Sequence, residues 1–332
     1  MDFSVYLPLY LGFVLAATTP RIARLLPPRT GVWCLSAAAI TAAASWTISL
    51  FMIAFTGLGR IAYVADEGHW SATKWREVDP VDVWTARICG FVLTASLAMF
   101  AWALVRELVA IRQIRRVAGR LDTESTIVFV DDDAPHAYAV GGRHPRIVIS
   151  TGLLRGLSAA ERRAVLSHES AHLRHRHHVH LRLLRLAAAM NPLLRPFVPA
   201  GVLAVERWAD EETAATLGDR TLVARTLLRA ALAGSGGGIR PAGALAHASG
   251  DVSQRVTALM QAPPRQRWWM TAAASVLLVA TIMAPALAAN NLDSLFDQAG
   301  PSSGMPVHIV KPGGHQRSVH TRITHASISI GH

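Results

Sequence analysis

From Val32 to Thr56 the chain carries no charge and has no polar face, so a helix there is apolar all round. At about 1.5 Å per residue such a helix reaches across a hydrocarbon core of about 30 Å. A water-soluble fold would have to bury this rod on every side, and that requirement dominates what the rest of the chain can do. The block is not isolated. Residues 83–105, with their apolar core at Ile88–Val105, and residues 268–289 read as further spans, and Phe3–Thr19, which contains Pro8, reads as a shorter one. The start of the chain lacks the basic region of a cleaved signal peptide, so this segment is expected to stay as a span. Hydrophobic residues make up 51% of the sequence and charged ones 17%, and the excess apolar content lies in these blocks.

Charge between the spans predicts their orientation. Arg21, Arg24 and Arg29 follow the first span with no acid among them, which assigns that connection to the cytoplasm. The next connection holds Arg60, Lys74 and Arg76 against Asp66, Glu67, Glu77, Asp79 and Asp82 and is expected outside. Arg106, Arg112, Arg115 and Arg116 return the chain to the cytoplasm. The expected architecture is a mainly α membrane protein with four transmembrane helices (about 3–19, 32–56, 83–105 and 268–289). A cytosolic α+β domain, residues 106–267, sits between helices 3 and 4, and an external, disordered tail, residues 290–332, carries five histidines. The net charge of +11 is accounted for by this topology and by attraction to anionic lipid rather than by nucleic acid, for which no reading motif is present. Cys34 and Cys89 both fall in spans, which argues against disulfides and thiolate metal sites.

Within the 106–267 domain, His168-Glu169-Ser170-Ala171-His172 is an H-E-x-x-H motif. Ser158-Ala159-Ala160-Glu161 ahead of it is a capping box, which sets the motif on a helix with both imidazoles on one face. Two neutral imidazoles one turn apart can share a Zn²⁺ ion, and Glu169 is placed to act as general base on a water. Thr126–Val130, His136–Val140 and Arg146–Ser150 read as three short strands ahead of the helix, the last with the composition of an edge strand that a substrate could extend.

Two positions compete for the third ligand. His178 lies where the third histidine of an H-E-x-x-H-x-x-G-x-x-H site would fall, but residue 175, where that motif has glycine, is His175. Glu206, in Glu206-Arg207-Trp208-Ala209-Asp210, shares a helical face with Asp210, so one carboxylate can bind a metal while the other fixes a ligand imidazole. The remaining basic and His residues after His172 read as a solvated, membrane-facing surface. The apolar stretch from Leu186 to Val205 contains Arg195 and prolines at 192, 196 and 199. It is read as re-entrant or surface-lying, because a full crossing would put Glu206 and His168 on opposite sides of the bilayer.

Taken together, Ala137–Gly142, Ile147–Leu154, the H-E-x-x-H helix and Glu206-x-x-x-Asp210 resemble the gluzincin core shared by HtpX-type membrane proteases and BlaR/MecR-type antirepressor peptidases. The four-span layout is closer to the BlaR/MecR branch. The resemblance implies a zinc metalloendopeptidase with His168, His172 and Glu206 as Zn²⁺ ligands, Glu169 as general base and acid, and Asp210 behind a ligand. It further implies a cell-membrane location with the peptidase domain cytoplasmic, and signal transduction by cleavage of a cytosolic repressor of BlaI/MecI type. Membrane lipids are the other expected partner, direct nucleic acid binding is not expected, and a homodimer is admitted. Two alternatives are an HtpX-like quality-control protease and a non-enzymatic membrane metal sensor. Ser71-Ala72-Thr73-Lys74 matches an S-x-x-K acylation tetrad but stands in a loop too short for a penicillin-binding fold.

Overall fold

A computed structural model describes residues 6–68, 71, 73–74, 81–120, 125–141, 145–235, 242–262 and 268–299. Three of its helices are long and apolar enough to cross a membrane: α2 (Pro28–Leu58), α4 (Val83–Arg120, of which Val83–Gln113 qualifies) and α11 (Trp268–Ala299, of which Thr271–Asn290 qualifies). The expected fourth span corresponds to α1 (Leu7–Leu25), which is helical but is not among these three. It runs past Thr19 through Pro20, Arg21 and Arg24 and packs against α2 and α11. A short helix, α3 (Ala62–Gly68), follows α2, and the Ser71 hydroxyl accepts the Lys74 backbone N–H at 3.4 Å.

The apolar helices continue beyond the spans read from sequence. No proline or run of glycines interrupts α4 before Arg120, so the helix runs on well past Val105. Likewise α11 continues to Ala299, just ahead of Gly300-Pro301, and residues 300–332, which hold all five tail histidines, lie outside the described residues.

Strands β1 (Ile127–Val130), β2 (Ala137–Val140) and β3 (Arg146–Ser150) form one sheet in the order β1-β3-β2. β3 is therefore the central strand, parallel to β1 and antiparallel to β2, and not the edge expected from its composition. Burial explains the difference: Ile147, Val148 and Ile149 are all buried, which only a strand covered on both faces and bonded on both sides tolerates. Ser150 ends the strand and joins three elements. Its hydroxyl accepts the N–H of His136 at 2.9 Å and of Leu153 at 3.2 Å, tying β2 to β3 and capping α5 (Thr151–Arg155).

The helix that follows, α6 (Ala159–Arg174), begins with the expected capping box: Ser158 Oγ accepts the Glu161 N–H, and Glu161 accepts the Ser158 N–H at 2.9 Å. Glu161 is fully buried and also receives Arg229 at 2.9 Å from α9 (Arg220–Ser235). Next come α7 (His177–Met190), a 3-10 turn at Pro192–Leu194 and α8 (Phe197–Leu217). The last described helix of this domain is α10 (Ala242–Met260).

Helices α7 and α8 form a hairpin whose apolar sides share one core with α1 and α2. Leu184, Ala187, Leu194, Phe197, Ala204 and Trp208 pack with Leu15, Ala16, Val32, Leu35, Ala38 and Ala42. At the tip, Asn191 is buried and lines a crevice with Gly12, Ala42 and Trp46, halfway along α2. The segment doubles back as a hairpin and does not run on as one crossing helix, as the prolines and Arg195 suggest, and it returns Glu206 to the end of the bundle from which α7 departed. Gly201 makes the close packing feasible, since a Cβ there would lie 2.1 Å from Leu184 Cδ1.

At the start of α5, a Cβ on Gly152 would lie 2.1 Å from the carbonyl oxygen of Asp133, and the Gly152 N–H donates to the Asp132 carbonyl at 2.9 Å. The obstruction is backbone and cannot rotate away. Gly152→Ala is expected to cost about 1–3 kcal/mol, read as a lowered melting temperature of the detergent-solubilised protein.

Candidate metal centre and active-site cleft

On α6 the spacing of four residues stacks His168 and His172 on one face, and their Nε2 atoms lie 3.1 Å apart. On α8 the same spacing puts Glu206 and Asp210 side by side facing α6. Glu206 approaches both imidazoles, with Oε2 3.3 Å from His168 Nε2 and Oε1 3.6 Å from His172 Nε2. Among the described residues, His168, His172 and Glu206 form the one group of side chains whose donor atoms converge closely enough to hold a metal ion, all within 4.8 Å of one another. His178, the rival third ligand, is not in that group; its ring lies over Gly141, where a Cβ would come within 2.2 Å of it.

The donor set fits zinc by its chemistry and its surroundings. Two imidazole nitrogens and a carboxylate oxygen face one point, and the outward nitrogens of both imidazoles are engaged from behind. Asp210 Oδ1 is 3.2 Å from His168 Nδ1, and His177 Nδ1 is 3.0 Å from His172 Nδ1.

Burying Glu206 and Asp210 together would be costly without a cation, and Arg255 on α10 supplies one. Its Nε and Nη2 donate to the two oxygens of Asp210 at 2.7 and 2.8 Å, and its Nη1 lies 2.9 Å from Glu206 Oε2. Burial works against ionisation of both acids. For Glu206, the His168 hydrogen bond and the charges of Arg255 and the histidines outweigh it and hold the carboxyl well below its usual range. For Asp210, hydrogen bonds from Arg255 and His168 do the same.

The two imidazoles are driven apart. Burial disfavours the charged form of each, but Asp210 and Glu206 override it at His168 and raise its pKa to about 10, whereas burial prevails at His172 and lowers it to about 4. Glu169 is pushed above the ordinary carboxyl range by burial and then by Glu206, against the pull of His168, the Ala139 N–H and Arg255.

The site opens into a cleft of about 760 Å³ bounded by α6, β2, α9 and α10, with His168, Glu169, Glu206 and Arg255 on its polar wall and Val165, Leu227 and Val256 on its apolar one. Among the described residues β2 has no strand partner on its outer edge, and β2 packs beside α6. Ser150 donates to the His136 carbonyl, so the antiparallel alternation turns Ala137 and Ala139 away from β3, and the Ala139 N–H donates to Glu169.

All five residues named from sequence, His168, Glu169, His172, Glu206 and Asp210, therefore meet in one place. Sequence reading assigned no chemistry to Arg255, although two acids sharing a helical face imply a cation opposite. It also left His177 on a solvated surface. In the structure His177 and His180 are buried against Trp208 and α2, with Ser36 Oγ 2.8 Å from His180 Nδ1, because α7 is half of a packed hairpin.

Comparison with known proteins converges on the same domain. Residues 106–234 match the sequence model described as Peptidase family M48, whose peptidases are zinc-dependent. A stretch of 68 residues is 40% identical to the Protease HtpX homolog of Burkholderia cenocepacia (strain HI2424) and to that of Burkholderia multivorans (strain ATCC 17616 / 249), covering 20% of this chain and 24% of each relative. The 106–234 segment is thus similar in sequence to zinc-dependent peptidases of that family. The chain spans about a quarter of the length of these curated relatives. No solved structure matches.

Arg255→Ala is expected to leave two buried carboxylates facing each other and to destabilise the metal-free protein by about 3–5 kcal/mol. Added Zn²⁺, which neutralises the same carboxylates, should raise the melting temperature of this variant by more than that of the wild type. Equal zinc shifts in the two proteins would show that Arg255 does not serve the acids.

Proposed function

We propose that this protein is an integral-membrane zinc-dependent endopeptidase whose cleft lies between α6, β2, α9 and α10. The observation that carries the reading is the convergence of His168, His172 and Glu206, with Glu169 beside them, on a mainly apolar cleft. The three donors would hold Zn²⁺, which when bound supplies Lewis acidity toward a carbonyl oxygen and lowers the pKa of water. Glu169, its carboxyl raised in pKa and steadied by the Ala139 N–H, takes the proton of the attacking water and gives it to the leaving amine. Asp210 fixes the His168 ring, and Arg255 keeps Asp210 and Glu206 ionised. An extended substrate pairs with the outward groups of Ala137 and with the Ala139 carbonyl on the outer edge of β2, in place of the β3 edge expected from sequence, and its side chains enter the apolar wall.

A repressor-cleaving role rests on the layout, in which α1, α2 and α4 precede the domain and α11 follows it, resembling the BlaR/MecR branch. On that reading the substrate is a cytosolic repressor of BlaI/MecI type. The second reading, an HtpX-like protease acting on damaged membrane proteins, is favoured by the naming of the relatives. The two separate on substrate breadth. A signal-transducing enzyme in detergent cleaves a folded winged-helix repressor at one bond and spares unfolded casein, whereas a quality-control enzyme degrades casein.

Glu169→Gln is expected to keep zinc and lose peptide cleavage by at least about 100-fold, while His172→Ala loses both, as read by metal content and a peptide assay. Glu206→Ala should lower zinc occupancy far more than His178→Ala. An active Glu169→Gln protein overturns the mechanism.

The proposed cytoplasmic placement of the domain has its own test. Ser125→Cys should resist an impermeant thiol reagent in intact cells, and Ser302→Cys should react. The reverse labelling would exclude cytosolic substrates.

A further inference from the structure

Immediately after α6 the chain reverses at Arg176, whose φ of 49° makes it the only residue other than glycine in the left-handed region among the described residues. A side chain at such a φ is disfavoured, and a glycine would relieve it. The reversal delivers His177, the first residue of α7, to the back of His172. The two Nδ1 atoms are 3.0 Å apart, with the rings edge to face at 89° and centroids 4.8 Å apart. His177 is 1% exposed, held between Trp208 at 4.8 Å and His175 at 5.7 Å.

We infer that His177 is a positioning residue that orients His172 through its Nδ1, so that the His172 Nε2 faces the metal. This rests on the reading of His168, His172 and Glu206 as the metal-holding set. A neutral imidazole that offers Nε2 to a metal carries its proton on Nδ1. Among the described residues the acceptor in reach of that proton is the His177 Nδ1, which must then be unprotonated, so the proton of His177 sits on its own Nε2. That Nε2 is buried and has no hydrogen-bond partner among the described residues. Leaving such a donor unpaired costs about 1–3 kcal/mol, and an apolar side chain of similar shape would avoid the cost. The strained turn and the unpaired donor both work against folding; what they achieve together is an acceptor behind His172. The two ligand imidazoles are thereby treated differently: His168 is backed by the Asp210 carboxylate at 3.2 Å and His172 by a neutral ring.

Asparagine and leucine distinguish this from packing, because Asn Oδ1 occupies the place of His Nδ1 while leucine keeps the shape and removes the acceptor. Full-length protein in detergent is stripped of metal, its melting temperature is measured, and its Zn²⁺ affinity is read by competition with a fluorescent chelator. The wild type should take up one Zn²⁺ and His172→Ala should lose it. His177→Leu should melt at or above the wild-type temperature without metal yet bind Zn²⁺ about 10–100-fold more weakly, and His177→Asn should recover most of that loss. If leucine does not fold, His177→Ala against His177→Asn makes the same comparison. Wild-type affinity in His177→Leu, or no recovery in His177→Asn, overturns the positioning role alone. A wild-type protein that takes up no zinc overturns the metal reading and the positioning role with it.

Discussion

Glu206 and Asp210 sit one turn apart on a buried helical face, and the catalytic half of the structure is arranged around the need to keep that pair of negative charges partnered. Asp210 is shut off from water and Glu206 is only partly open to the cleft, so both lean on protein groups for partners. His168 contacts both, Arg255 clamps both, and His172 closes the remaining approach to Glu206. Three helices meet this one requirement, α6 bringing the imidazoles, α8 the acids and α10 the guanidinium, and α7 adds the ring behind His172. The convergence also explains why a domain with a sheet of only three short strands holds a defined cleft. The polar network fixes the helices relative to one another where the apolar cores on either side do not extend.

Much of this was legible in the sequence because it is local. The capping box at Ser158 and Glu161, the four-residue spacing of the imidazoles and of the acids, and the three strands are each read from residues within a turn or two of one another. The prolines and Arg195 between Leu186 and Val205 were sufficient to reject a crossing helix, and the hairpin follows from that rejection. What was not legible is pairing across distance. Arg255 reaches Asp210 from 45 positions away, and nothing in its own neighbourhood marks it as buried. Strand order failed for a related reason. Alternation of Arg146 to Ser150 is compatible with an edge or a centre, and only the parallel pairing with β1 decides it.

His177 and His180 show a subtler limit. A run of alternating histidines and arginines has the composition of a wet surface, and Arg174, Arg176 and Arg182 do reach outward from it or to its rim. A helix divides such a run by face, however, and the face carrying His177, His180 and Leu184 is the one that meets α8 and α2. Composition averages over the two faces. Only the knowledge that α7 is packed along an apolar span separates them.

The hairpin has a consequence for reach. Its tip at Asn191 is seated beside Ala42 and Trp46, midway along α2, while its open end lies at the basic start of that helix, where Arg207 contacts the Arg24 carbonyl and Arg29 stands 5.9 Å from the Trp208 ring. If α2 crosses the bilayer as proposed, the donor groups are moored at a constant elevation on a rod held by lipid. On the proposed reading, a polypeptide would be selected first by altitude: bonds that lie a few residues from where a chain leaves the apolar slab are presented to the cleft, and identical bonds farther out pass it by.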